Sequence, residues 1–360
     1  MSDLLSFARV SRHDLALAKP YSIAGRQVSS AECVLVEVGN ALGHTGLGTA
    51  SPSAAVTGET IDACFAAASE AAELARHWQG DADSLLRSPL FNRLAATPAA
   101  RAAVEMAIVD LKARTAGVAV AELLGGRHHD RLPTSVTIGI QGASETLEEA
   151  RRLLAAGFRC LKIKIGNDLD ADIRVLELLR RHLGSEPTIR VDPNQGYDRR
   201  SLAAFVQATR HLSIELIEQP MPRGSHELLC GLRTPSDPPF AADEDLHSPA
   251  DAERLAESGG YGVFNIKLMK CGGILPAMEI AAIARRSGVA LMWGCMDESV
   301  VSIAAALHAA FASPATRYLD LDGSFDLAAD IARGGFVLDR GDLLLSDAPG
   351  LGASLISGEQ

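Results

Sequence analysis

Residues 31–38, AECVLVEV, alternate apolar and polar positions, which predicts a half-buried strand. The glycines within residues 39–48 break that alternation and predict a turn into another strand. Residues 51–58 read as a loop. From Thr60 to Trp78 the apolar positions fall at helical spacing in alanine-rich sequence. A stronger helix begins at Thr97-Pro98, a cap residue followed by proline in the first turn, and runs through ARAAVEMAIVDLKART to stop at Gly117. Strands followed by helices predict an α+β unit.

After Leu124-Gly125-Gly126 the rhythm changes. Short apolar runs alternate with amphipathic helical patterns such as ETLEEARRLLAAGF and ILPAMEIAAIARRSGV. Eight strand candidates follow: SVTIGI, CLKIKIG, TIRVDPN, IELIEQP, PPFAADE, VFNIKLM, VALMWGC and TRYLDLD. They recur about every 25 residues, the length of one strand, one helix and two loops. The open doubly wound alternative normally carries a glycine-rich phosphate turn. No GxGxxG or Walker loop is present, so the α/β fold expected is a (β/α)7β-type TIM barrel. We expect residues 1–125 to form an α+β capping domain and residues 126–322 the barrel. The turn-rich residues 323–360 are expected to leave the barrel and pack with the cap.

Composition narrows the class. A chain of 360 residues, 47% hydrophobic and 22% charged, is an ordinary globular protein. Its net charge of -11 repels phosphate backbones, so nucleic acid is not an expected partner. No signal-like N-terminus and no uncharged apolar run of membrane-spanning length is visible. No two of the six cysteines stand closer than Cys271 and Cys295, so no CxxC exists, and reduced thiols in a cytoplasmic protein are expected.

Polar residues at the C-terminal ends of barrel strands read as catalytic. Three consecutive strand ends carry Asp192, Glu218 and Asp243. Each could merely cap the next helix, but three in a row after apolar strands favour convergence. Three buried anions repel one another unless a cation lies among them, and a hard divalent ion such as Mg²⁺ suits oxygen ligands. Lys162 and Lys164 share one face of the second strand, and Lys267 ends the sixth. These strands bracket the acid-bearing ones, so two lysines face each other across whatever the metal holds. Two opposed bases let a proton leave one face of a carbon and return on the other. Like-charge repulsion from Lys162 should lower the pKa of Lys164. Lys162 could instead be salt-bridged in an electrostatic role, and Lys270 is a weaker candidate beyond the strand end. Asp320 and Asp322 share a face of the eighth strand and would suit a substrate ammonium. Thr137, Cys295, Met296 and Asp297, also at strand ends, complete the candidate substrate contacts.

With these residues in place, the chain resembles the enolase superfamily in its muconate-lactonizing subgroup. LKIKIG, RVDPNQG, IEQP, ADE, NIKLMKCGG and GCMDES carry the resemblance across most of residues 97–322. It implies Mg²⁺ on Asp192, Glu218 and Asp243, with Lys164 and Lys267 as the acid/base pair. Asp320 with Asp322 looks like the signature of dipeptide epimerases, where the pair holds the N-terminal ammonium. Two segments depart from the pattern. GLGTA has Thr49 where Glu is usual, and ADED stands where ADES is common. Neither touches a ligand or a base, so they bear on substrate preference.

The mechanism this implies binds the dipeptide's C-terminal carboxylate on Mg²⁺. One lysine removes the α-proton, the metal and Lys162 stabilise the enediolate, and the other lysine returns a proton. Segment KPYSIAGRQ is expected as a lid loop over the barrel mouth, with Arg26 reading an acidic side chain, which suggests an Ala-Glu dipeptide. Asp297 pulls the other way, towards a cationic or polar side chain. Competing readings are o-succinylbenzoate synthase, N-acylamino acid racemase or muconate cycloisomerase of the same subgroup, and a non-catalytic binding barrel. A homo-oligomer is expected from the many apolar helix faces.

Overall fold

The computed structural model describes residues 5–23 and 26–356, and side chains outside residues 20–28. All eight expected barrel strands form: Ser135–Ile138, Cys160–Lys164, Thr188–Asp192, Ile214–Glu218, Phe240–Ala242, Val263–Ile266, Ala290–Gly294 and Thr316–Asp320. They pair in sequence order, every neighbour parallel. The last strand returns to the first through a parallel bridge between Thr134 and Leu319. Leu321 N donates to Thr134 Oγ1 (2.9 Å) and Ser135 Oγ to the Leu319 carbonyl (3.2 Å) at the same seam. The sheet therefore closes into a ring.

Period two sorts the strand residues between two cores. Outward-facing Leu161, Ile163, Ile189, Val191, Ile217, Phe264, Leu291 and Leu319 join the large core beneath the helices. Inward-facing Leu216, Ala241, Val263 and Met292 make a small apolar plug one layer below the strand ends. The polar strand-end residues stand on that plug. The strand–helix rhythm fails once. Between the fourth and fifth strands there is only a 3₁₀ turn, His226–Leu229. The spacing of the strands gave no sign of this, because loops fill the missing length.

The N-terminal part is a three-stranded antiparallel sheet, Leu5–Ile23, Arg26–Asn40 and Thr45–Ala50, followed by helices. The first of these strands is long and went unpredicted, while the helices Ile61–Arg76 and Pro98–Ala116 fall where expected. Helix Pro98–Ala116 lies directly on the third strand. A Cβ on Gly48 would meet the Ala103 carbonyl at 1.9 Å, and one on Gly46 the Ala107 carbonyl at 2.1 Å. Only glycine permits that approach, which accounts for the GLG run.

Residues 19–27, expected as a lid loop, are extended where described, with Ile23 opposite Arg26 in a two-stranded ribbon. The Arg26 side chain lies outside the described residues. The ribbon is tied to the chain just after the eighth strand: Ala18 N donates to the Asp326 carbonyl and Ala328 N to that of Ala16, both 2.8 Å. The tail divides. Leu351 N donates to Asp110 Oδ1 (2.7 Å) and Arg114 to the Ala353 carbonyl (2.6 Å), both on helix Pro98–Ala116. Strand Asp342–Leu345 instead pairs with Leu132–Pro133 at the barrel foot, with Phe336–Asp339 on its other edge. Among the described residues no helix is long and apolar enough to cross a membrane.

Candidate active site

The barrel register brings the acids and lysines together. Lys164 is directly opposite Asp192, and Lys162 is opposite Thr137. Lys164 Nζ donates to Asp192 Oδ2 at 2.7 Å and to Asn194 Oδ1 at 2.8 Å. Lys162 Nζ lies deeper, 2.7 Å from Glu218 Oε2, 2.7 Å from Asp320 Oδ2 and 3.3 Å from Asp192 Oδ2. Lys267 Nζ donates to Asp243 Oδ2 at 2.9 Å. Asp192, Glu218 and Asp243 are all buried. Acids and bases thus alternate across the mouth, with Lys164 and Lys267 on its two flanks.

Charge pairing decides the electrostatics. Burial works against the Lys162 ammonium, but Asp320, Glu218 and Asp192 hold it well above the usual lysine range. The same contest, won by Asp243 and then Glu218, keeps Lys267 raised. Burial would lift Asp192 and Asp243, yet Lys164 and Lys162 lower the first, and Lys267 and Lys270 hold the second well below the carboxylate range. Glu218 goes the other way. Burial and then Asp192 push its carboxyl up to about 8. Lys162 is therefore a buried counter-ion to three carboxylates, the salt-bridged electrostatic role that the sequence offered as its alternative.

Glu218 also supplies a test of the metal reading. Its Oε1 accepts from Asn265 Nδ2 at 2.8 Å, but its buried Oε2, close as it is to Lys162, receives no aligned hydrogen bond. A crowded carboxylate oxygen without a donor suits a hard cation. Among the described residues no acid, histidine or cysteine trio is already gathered in ligand geometry. The carboxylates are turned onto the lysine ammonium groups instead. The donor set is all oxygen and fits Mg²⁺.

Asp322 and Asp320 differ more than their spacing suggested. Asp320 is buried and bonded by Lys162 and by Ser135 Oγ (2.6 Å). Asp322 is half-buried and accepts from Thr137 N at 2.8 Å. Burial, then Asp320, push its carboxyl up to about 7. Cys295 Sγ approaches the Asp320 carbonyl (3.3 Å) and accepts from Gly323 N (3.2 Å), and burial drives its thiol far up, so it is a wall rather than a nucleophile. Met296 and Asp297 are half-buried beside it.

Several participants escaped the sequence reading. Lys270, ranked low, is buried and bonds both the Asp243 carbonyl (2.5 Å) and its carboxylate. It lies three residues after Lys267 in a helical turn, a spacing that returns it to the same face. Asn265 precedes Lys267 by two on the inward face, a signal period two does contain. Gln219 is the hinge of the acid loops: its Oε1 accepts from Asp243 N (3.0 Å) and Asp245 N (3.2 Å), and its Nε2 reaches the Tyr261 hydroxyl (3.0 Å). No pattern announced that role.

This arrangement agrees with comparisons to known proteins. Residues 145–358 match the family model "Enolase C-terminal domain-like", and residues 8–125 match "Mandelate racemase / muconate lactonizing enzyme, N-terminal domain". The chain belongs to the enolase superfamily. Within the superfamily, it is 51% identical over 347 residues to the L-Lys-D/L-Arg epimerase of Methylococcus capsulatus, covering 96% of this chain and 97% of that one. It is 32% identical to the L-Ala-D/L-Glu epimerase of Bacillus subtilis, covering 97% of each. The crystal structure of the dipeptide epimerase from Methylococcus capsulatus complexed with Mg and the dipeptide L-Arg-D-Lys superposes with a TM-score of 0.91 at 50% identity, covering 97% of this chain and 99% of that one.

Proposed function

We propose that this chain is a Mg²⁺-dependent dipeptide epimerase, an isomerase that inverts the α-carbon next to the C-terminal carboxylate. One observation carries the reading: the ammonium groups of Lys164 and Lys267 stand on opposite flanks of the Asp192–Glu218–Asp243 trio. Asp192, Glu218 and Asp243 would hold the metal, whose charge offsets the negative charge that develops as the α-proton leaves. Lys164 takes or returns the proton on one face and Lys267 on the other. Lys162 adds a buried positive charge beneath the same carboxylates. Asp320 and Asp322 meet the substrate ammonium, with Thr137 orienting Asp322 and Cys295 closing the wall. Residues 126–322 then carry the chemistry, while residues 1–125 with the chain at Asp326–Ala328 cap the mouth.

For the side chains we favour a basic dipeptide over Ala-Glu. Burial, then Asp297 and Glu149, push the Asp326 carboxyl up, and Arg152 and Lys19 beside Glu149 offset only part of that negative charge. A cationic side chain offsets the rest and a glutamate adds to it. The 51% identity to an L-Lys-D/L-Arg epimerase supports the same choice. A cytoplasmic setting suits six unpaired cysteines, and a homo-oligomer is readily tested by light scattering. The deciding experiment is a dipeptide library incubated with protein and Mg²⁺ in D₂O. Deuterium should enter the C-terminal α-position of Lys- and Arg-containing dipeptides first. Exchange of N-acylamino acids but of no dipeptide would overturn the reading.

A further inference from the structure

Glu105 lies on the cap, yet it touches the segment that directly follows the turn carrying two of the site lysines. It belongs to helix Pro98–Ala116 and is 1% exposed. Its Oε1 accepts from Leu275 N at 2.7 Å. Leu275 is the second residue of the 14-residue helix Ile274–Ser287, so this carboxylate satisfies a free amide of the first turn and faces the positive end of the helix dipole. Gly273, just ahead, has φ +122°, and a Cβ there would meet Glu105 Oε1 at 2.6 Å. A Cβ on Gly272 would likewise meet Cδ of Arg101, one turn earlier on the capping helix, at 3.0 Å. The chain runs from Lys267 through the turn Leu268–Cys271, which contains Lys270, straight into these two glycines. The other flank is held differently. Two residues beyond Lys164, Gly166 N donates to Asp172 Oδ2 (2.9 Å), a contact internal to the barrel.

On the reading of two opposed lysines, we propose that Glu105 is a positioning residue. It fixes residues 267–273 so that Lys267 addresses its face of the α-carbon, and it leaves Lys164 untouched. The cap thereby sets one half of a two-sided proton transfer.

The test follows each epimer of one turned-over dipeptide separately, in D₂O with Mg²⁺, by initial α-deuterium incorporation. Lys267→Ala first identifies the epimer whose exchange depends on Lys267. Glu105→Ala should then slow exchange of that epimer about tenfold or more, with KM unchanged and the other epimer unaffected. Glu105→Gln, whose oxygen can still accept from Leu275 N, should restore most of the rate. If Glu105→Ala does not fold, Glu105→Asp, which retracts the oxygen but keeps the charge, should show the same one-sided loss. Equal losses from both epimers, or no loss in either variant, overturn the positioning role alone. Normal exchange of both epimers by Lys267→Ala overturns the two-lysine reading and this inference with it.

Discussion

Lys164 and Lys267 end strands that are four apart in an eight-stranded ring, and each ammonium binds a different carboxylate, Asp192 at 2.7 Å and Asp243 at 2.9 Å. Residues that far around a closed barrel face each other across its mouth. A group held between them is open to proton transfer from two sides.

Mg²⁺ should stabilise the fold through the acid trio. At a hundredfold excess over Kd, binding to the native state alone adds about 2.7 kcal/mol. Melting scans with Mg²⁺ and with chelator should separate accordingly, and Asp192→Asn should collapse the difference. A chelator-insensitive parent would contradict the ligand assignment.

Lys162 neutralises three buried carboxylates, so removing it strands them. Lys162→Ala should cost about 3–5 kcal/mol in metal-free denaturant unfolding at neutral pH. Lys164→Ala, at a half-buried position, should cost much less.

Asp322 tests the ammonium site more cleanly than Asp320, whose loss would also release Lys162 and Ser135. Asp322→Ala should lower kcat/KM for free dipeptides about tenfold to a hundredfold. N-acetylated dipeptides, which lack the ammonium, should be poor substrates for the parent and lose little in the variant.

Burial pushes the Glu105 carboxyl up to about 7, against the pull of Leu275 N and Arg101, with Glu279 adding to the rise. A raised folded-state value contributes stability that is complete below the ordinary value of 4.5 and is lost as pH rises through about 7. The parent should therefore gain on Glu105→Gln as pH falls from 8 towards 4.5, by about 3 kcal/mol at most. Chemical denaturation of both proteins across that range would show it. A pH-independent gap would mean that the carboxyl does not titrate there.

The barrel was legible because period-two strands recur at a steady interval and end in acids and lysines. Lys162, Lys164, Asp192, Glu218, Asp243 and Lys267 could be gathered from that alone, since parallel register aligns strand ends. The missing helix before Phe240 was not legible, because a loop of equal length leaves the same spacing. The first strand escaped because its alternation is broken: Phe7 is exposed, Leu15 and Leu17 are buried, and the polar run Ser11-Arg12-His13-Asp14 precedes them. Glu105 reads in sequence as one residue of an alanine-rich helix, and its contact with Leu275 crosses between distant parts of the chain. Lys270 was undervalued because a strand-end rule does not see the helical turn that brings it back.

The most direct test of the account compares Lys164→Ala and Lys267→Ala, each offered both epimers of a Lys- or Arg-containing dipeptide in D₂O with Mg²⁺. Both variants should lose net epimerisation, and each should still exchange the α-proton of one epimer only, the opposite one in each case. Retained exchange of the same epimer by both variants, or normal turnover by either, would contradict proton transfer from two faces.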